Sequence, residues 1–196
     1  MNRLQQVFHC CLVSLRSGPL LLLSLVLGLW TLSGCTYESS NSSTSKEADL
    51  TTALRVDGSR FLLTVEPGDA GDVIKVREEA GDGDDIVIVG RIGGSENPWV
   101  DGRAAFSIVD GSLKACSDIP GDNCPVPWDY CCETPKLPNA TALIKIVDDN
   151  GDLVKANAKD LLGVRELSTV VVKGKAKRDD AGNLTVLASG VFVKKK

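Results

Sequence analysis

The amino-acid sequence predicts one small all-β domain with a minor helical part, and three observations carry that expectation. Val, Ile, Leu and Gly abound while aromatic residues make up only 5% of the chain. Such a mixture suits short packed strands better than a wide aromatic-lined cleft. Beyond residue 50, apolar or alternating runs recur between clusters of Gly, Asp, Asn and Pro, as strands do between turns. The last two runs flank Asp179-Asp180-Ala181-Gly182-Asn183, a hairpin signature.

The first 34 residues stand apart from that domain. Arg3 and Arg16 precede an apolar stretch, Leu20 to Leu32, interrupted only by Ser24, Gly28 and Thr31. At about 1.5 Å per residue it reaches roughly 20 Å, short of the roughly 30 Å hydrocarbon core of a bilayer. It therefore reads as the apolar region of an export signal, not as a spanning helix. The stretch ends in Leu32-Ser33-Gly34-Cys35, which resembles the lipobox of bacterial lipoproteins. The resemblance implies cleavage before Cys35, a diacylglycerol on its thiol and acylation of its new amino group. Several acyl chains on one residue anchor stably where one does not, so a membrane is the first expected partner. Thr36, and not Asp, follows the cysteine, which favours the outer membrane, on its periplasmic side or at the cell surface. Residues 35–49, rich in Ser and almost free of apolar side chains, read as a flexible tether, with a single domain over 50–196. All 26 acidic residues lie beyond Cys35, so the exported part is more acidic than the net charge of −4 for the whole chain suggests.

Within the domain, Phe61 to Val65 is a short apolar run ended by Pro67-Gly68. Asp69 is placed to cap a helix that runs to Ala80, with Ala70, Val73, Ile74 and Ala80 on one face and Gly81 as its stop. Asp82-Gly83-Asp84-Asp85 is a turn. Ile86 to Ile92 is apolar on both faces and predicts a central strand, with Gly90 at a sharp bend. Ala104 to Val109 and Ala142 to Val147 predict two more strands. Asn157 is placed to cap a short helix over 158–162, closed by Gly163. Ser168 to Arg178 and Leu184 to Val193 form the final hairpin.

Three strands, a short helix and two strands, with a helix in front, is the order of an OB-fold, a five-stranded Greek-key barrel. Gly90-Arg91-Ile92 followed by Phe106-Ser107-Ile108-Val109-Asp110 resembles the first two strands of many OB domains, and the final hairpin resembles their last two. The leading helix is similar to that of small periplasmic OB-fold proteins. The resemblance spans about residues 69 to 193, and the other candidate is a different small β-barrel or sandwich.

The departure from that pattern is an insert at about residues 111–139, between the second and third predicted strands. It holds Cys116, Cys124, Cys131 and Cys132 together with five prolines. A loop of this length in a compact domain is functional or stapled. Export would place the thiols in an oxidising compartment, which favours two structural disulfides, each offsetting about 2–4 kcal/mol of loop entropy. Bridging the adjacent Cys131 and Cys132 strains the ring, so Cys116 and Cys124 are each expected to take one of them. The alternative is a metal site, in which reduced thiolates hold zinc or copper(I), with Asp118, Asp122, Asp129 and Glu133 as possible oxygen ligands. The spacing lacks the paired two-residue spacers of zinc knuckles. Redox catalysis is a third reading, weakened by the absence of a Cys-x-x-Cys pair.

His9 is the sole histidine and would leave with the signal, which removes His-based general bases and imidazole metal ligands from the exported part. The Asp clusters sit beside Gly or Asn and read as turns. Trp99, between the first two predicted strands, with Trp128 and Tyr130 in the insert, is a possible platform for sugar or peptide, or else packs under loops. Lys173, Lys175 and Lys177 alternate along one strand and share a face, a possible anion patch or a solvated exterior. Acidity and scarce aromatics argue against nucleic acid as a ligand. The sequence as a whole predicts a non-enzymatic binding or assembly module of the cell envelope, facing an envelope protein or glycan and needing no cofactor. A thiol-based metal-binding or redox protein is the alternative.

Overall fold

Alternating burial turns the five predicted runs into the staves of a closed barrel. The structure, a computed structural model, describes residues 56–195. The export signal, Cys35 and the tether predicted above lie outside the described residues. The elements are β1 (Gly71–Asp72), α1 (Val73–Glu79), β2 (Asp85–Ile92), β3 (Ala105–Val109), α2 (Leu137–Ala140), β4 (Thr141–Ile146), α3 (Ala158–Leu162), β5 (Thr169–Arg178) and β6 (Leu184–Val193). The sheet runs β1-β2-β3-β4-β6-β5, and β2 also pairs with β5, which closes β2 to β6 into a ring. Within the ring only β4 and β6 are parallel; the other neighbours are antiparallel. That is the strand order of an OB-like barrel, as the sequence predicted.

The pleat sorts the side chains. On β5, Val170, Val172 and Ala176 are buried, while Lys173, Lys175 and Lys177 are exposed. Ile88, Ile92, Phe106, Ile108, Ile144, Ile146 and Val186 fill the interior with them, and Phe61, Leu161 and Leu162 join the same core. Gly90 sits where the second wall comes close. A Cβ there would lie 2.9 Å from the Val109 carbonyl oxygen and 3.0 Å from Ile108 Cδ1. A close approach thus accounts for the glycine inside β2.

The leading helix differs from the expectation in its start. Asp69 adopts φ 57°, a left-handed turn conformation that Asp tolerates, and so does not cap. Gly71 and Asp72 instead extend and pair with Ile88 and Val89 of β2, which delays the helix to Val73. Its N-terminal donor is satisfied from elsewhere: Ile74 N donates to Asp110 Oδ2 at 2.9 Å, across from the end of β3. Phe61 to Val65 also differs from a plain strand, since Gly58–Phe61 is a 3-10 turn and Leu62 makes an isolated parallel bridge to Val191. No helix among the described residues is long and apolar enough to cross a membrane.

Candidate thiol site

The insert is fastened to the barrel by a second, smaller core. Val109, Leu113, Ala115, Tyr130 and Ala140 are buried together, with Ile74, Leu137 and Leu167 packed against them. Tyr130 is fully buried, and its ring lies against Gly93, where a Cβ would stand 2.8 Å from Tyr130 Cε2 and 3.1 Å from the Trp128 carbonyl oxygen. Only glycine at 93 leaves room for the ring. Arg91, at the end of β2, forms an ion pair with Asp118 of the insert, and Trp128 Nε1 donates to the Glu96 carbonyl at 3.0 Å. Each of these contacts ties the insert to the segment spanning β2 and the loop after it.

The two limbs of the insert are then laced by backbone. Cys116 N donates to the Asp129 carbonyl at 2.8 Å, and Ser117 N to the Pro127 carbonyl at 2.9 Å. That pairing brings the start of the insert level with its end. Cys116 opens one 3-10 turn (Cys116–Asp118) and Cys131 opens another (Cys131–Glu133). Between them the chain folds back at Gly121, whose φ of 82° suits glycine. Cys124 is held by its N–H on Asp122 Oδ1 at 2.9 Å.

The Sγ atoms of Cys116, Cys124 and Cys131 consequently all lie within 4.8 Å of one another. Cys116 and Cys131 stand 3.3 Å apart, and Cys131 and Cys132 4.0 Å apart. All four are free thiols, with no pair at bonding distance. Cys116 is buried, Cys124 is half-buried, and Cys131 and Cys132 are exposed. Burial pushes the Cys116 thiol up to about 12, because a buried thiolate loses its hydration, and a hydrogen bond with Cys131 adds to the rise. Thiolate is the metal-binding and nucleophilic form, so a high thiol pKa is poor equipment for thiol–disulfide catalysis.

The acidic neighbours are engaged elsewhere. Asp118 pairs with Arg91 and accepts from Ala115 N at 3.2 Å. Asp129 Oδ1 accepts from Tyr130 N at 2.7 Å, and Glu133 pairs with Lys136 at 2.6 Å. Asp122 spends one oxygen on the Cys124 amide, and none of the four carboxylates belongs to the sulfur group. Asp118, Asp129 and Glu133 build the insert, while Asp122 keeps a buried Oδ2 without a hydrogen-bond partner.

The other predicted site residues do not converge. Trp99 packs on Phe106 with ring centroids 5.8 Å apart, and its Nε1 donates to Glu166 Oε1 at 2.7 Å. Lys159 lies over the same ring and pairs with the same carboxylate at 2.6 Å. Burial alone would raise the Glu166 carboxyl, but the bonds from Lys159 and Trp99 prevail and lower it. Trp99 is thus a packing residue, and Trp128 and Tyr130 are spent on holding the insert. Of the three lysines on β5, Lys175 pairs with Asp85 at 2.8 Å and Lys177 with Asp82 at 3.1 Å, so the turn acids offset most of the predicted anion patch. Sequence reasoning missed Arg91 and Gly93 as the insert's seat. The Gly93-Gly94 pair directly after a strand was the available signal.

No family model matches the chain, and no curated protein does. Among solved structures it is similar to a DUF3299 family protein from Pseudomonas aeruginosa, at 16% identity and a TM-score of 0.30, over 72% of this chain and 95% of that one. A likeness so slight carries no argument about function.

Proposed function

We propose that the chain is a lipid-anchored module of the cell envelope whose OB-like barrel presents a thiol site for a soft metal ion. The observation that carries the metal part is the meeting of three cysteine sulfurs within 4.8 Å on a braced insert. Thiolates select soft or borderline ions such as copper(I) and zinc over hard ones. Placement on a rigid barrel, with Arg91, Gly93 and Glu96 fixing the insert, holds the donors close to a binding geometry before any ion arrives. The anchoring part is supported by the apolar stretch and Leu32-Ser33-Gly34-Cys35 alone.

A second reading is a disulfide-stapled binding or assembly module, and the 3.3 Å separation of Cys116 and Cys131 favours it. The two are separable in one experiment. The chain is isolated from its membranes without reductant or chelator, and its intact mass and metal content are measured. Unoxidised thiols with one metal ion per chain are expected. Loss of hydrogens with no metal would overturn the metal reading in favour of the staple. Labelled palmitate should enter the chain and be lost in Cys35→Ser; an unlabelled chain recovered soluble inside cells would overturn the anchoring.

A further inference from the structure

Four cysteines lie in the insert, but the structure groups only three of them. Cys132 stays outside the set, although its Sγ is 4.0 Å from that of Cys131. It follows directly on Cys131 in a 3-10 turn and is exposed. Nor does an oxygen belong to the sulfur group: Asp118, Asp129 and Glu133 are committed to Arg91, the Tyr130 amide and Lys136, while Asp122 holds the Cys124 amide through Oδ1 and keeps a buried, unpartnered Oδ2 that is not among the clustered ligand atoms. From these contacts we infer that the cluster is a three-coordinate, all-sulfur site that takes a monovalent d10 cation, cuprous copper, in preference to zinc. The inference rests on the metal-binding reading above and sharpens it to one class of ion.

The chemistry follows from coordination preference. Zinc in protein sites is almost always four-coordinate and tetrahedral, so three sulfurs leave it to recruit water or to pull Cys132 inward. Cuprous ion is softer and is well matched by thiolate. Metal–sulfur bonds of about 2.3 Å set at 120° would hold the sulfurs roughly 4.0 Å apart. Cys116 and Cys131 need to part by about 0.7 Å from their 3.3 Å separation to reach this. Cys131 is exposed and free to give that distance, whereas Cys116 is fixed in the second core's edge by its backbone bond to Asp129. Binding breaks three S–H bonds and forms three S–Cu bonds. Three protons leave to solvent, and copper enters and remains as copper(I), so no oxidant or reductant is consumed.

The test uses the full exported chain, reduced and held without oxygen, with two probes: cuprous ion supplied as its acetonitrile complex, and zinc chloride. Each is titrated against a chromophoric chelator, and the bound copper is examined by X-ray absorption. One cuprous ion per chain is expected, with three sulfur neighbours. Cys132→Ser should hold it within about 3-fold, while Cys124→Ser and Cys131→Ser should each weaken it by roughly 100-fold or more. Zinc should bind at least about 100-fold more weakly than copper. Cys124 is half-buried and Cys131 exposed, and unchanged melting temperatures would show that both variants fold. Zinc bound tightly by four sulfurs, with Cys132→Ser abolishing it, would overturn the inference while leaving a metal-binding function standing. Binding of neither ion by the reduced chain would overturn both.

Discussion

Replacing Asp110 by alanine probes the joint on which barrel, helix and insert all depend. The Asp110 side chain is 3% exposed and lies one residue beyond β3. Its carboxylate accepts from Ile74 N at 2.9 Å, Ser112 N at 2.9 Å and Ser112 Oγ at 2.6 Å. Alanine would leave the Ile74 N–H, which is part-buried, and the Ser112 N–H, which is nearer the surface, without this partner. Hydrogen bonds to a charged group contribute about 1.5–3 kcal/mol each, and an unsatisfied buried donor costs about 1–3 kcal/mol. Water reaching Ser112 would recover part of the loss, so a net destabilisation of about 3–4 kcal/mol is expected. The helix it caps has only seven residues and little stability of its own, so the loss should fall on the fold as a whole. Urea unfolding followed by tryptophan fluorescence would measure it. Because Val109, Leu113, Tyr130 and Ile74 share one small core, Cys116 should also become more reactive to alkylation before global unfolding. A change in stability below about 1 kcal/mol, with Cys116 as protected as before, would refute the role assigned to Asp110.

Three further outcomes follow from the same contacts. Burial tends to raise the Asp110 carboxyl, yet the bonds from Ile74, Ser112 and Val73 outweigh it and hold the group below the usual carboxylate value. Its contribution is therefore fully present above the unfolded-state value and is lost as pH falls through the lower folded one, so stability should drop in that acidic window and drop less in Asp110→Asn, measured by urea midpoints across pH. Gly93→Ala places a Cβ against Tyr130 and the Trp128 carbonyl, and should cost about 1–3 kcal/mol while unseating the insert, visible as faster thiol alkylation. Trp99→Phe removes the donor to Glu166 but leaves Lys159 in place, so a loss of about 1 kcal/mol in thermal or urea unfolding is expected.

How much of this was legible in the sequence depended on the range of the forces involved. The hairpin of β5 and β6 and the helix at 158–162 were readable because a period of two and a closing glycine are local signals, although the Asn157 side chain accepts from Gly102 N and does not cap the helix. The late start of α1 was not, because it is decided by Gly71 and Asp72 pairing with residues 88 and 89, a tertiary contact with no local mark. The same holds for Asp110, whose partner in α1 is 36 residues away. The insert was visible as a cysteine cluster, and Cys116 was expected to meet Cys131 or Cys132, but spacing alone did not say which sulfurs group together. Only the Cys116 N to Asp129 O bond, set on the seat made by Arg91 and Gly93, brings the sulfurs together. Residue type suggested Trp99 and the β5 lysines as contacts; Glu166, Asp85 and Asp82 already partner Trp99, Lys175 and Lys177.

A metal held by three sulfurs should shield those three thiols together and leave the fourth open. One equivalent of metal is added to the reduced chain, accessible thiols are alkylated, and each cysteine is read by peptide mass. Protection of Cys116, Cys124 and Cys131 with Cys132 fully labelled is the predicted result. Labelling of all four at the rates of the metal-free chain would contradict it.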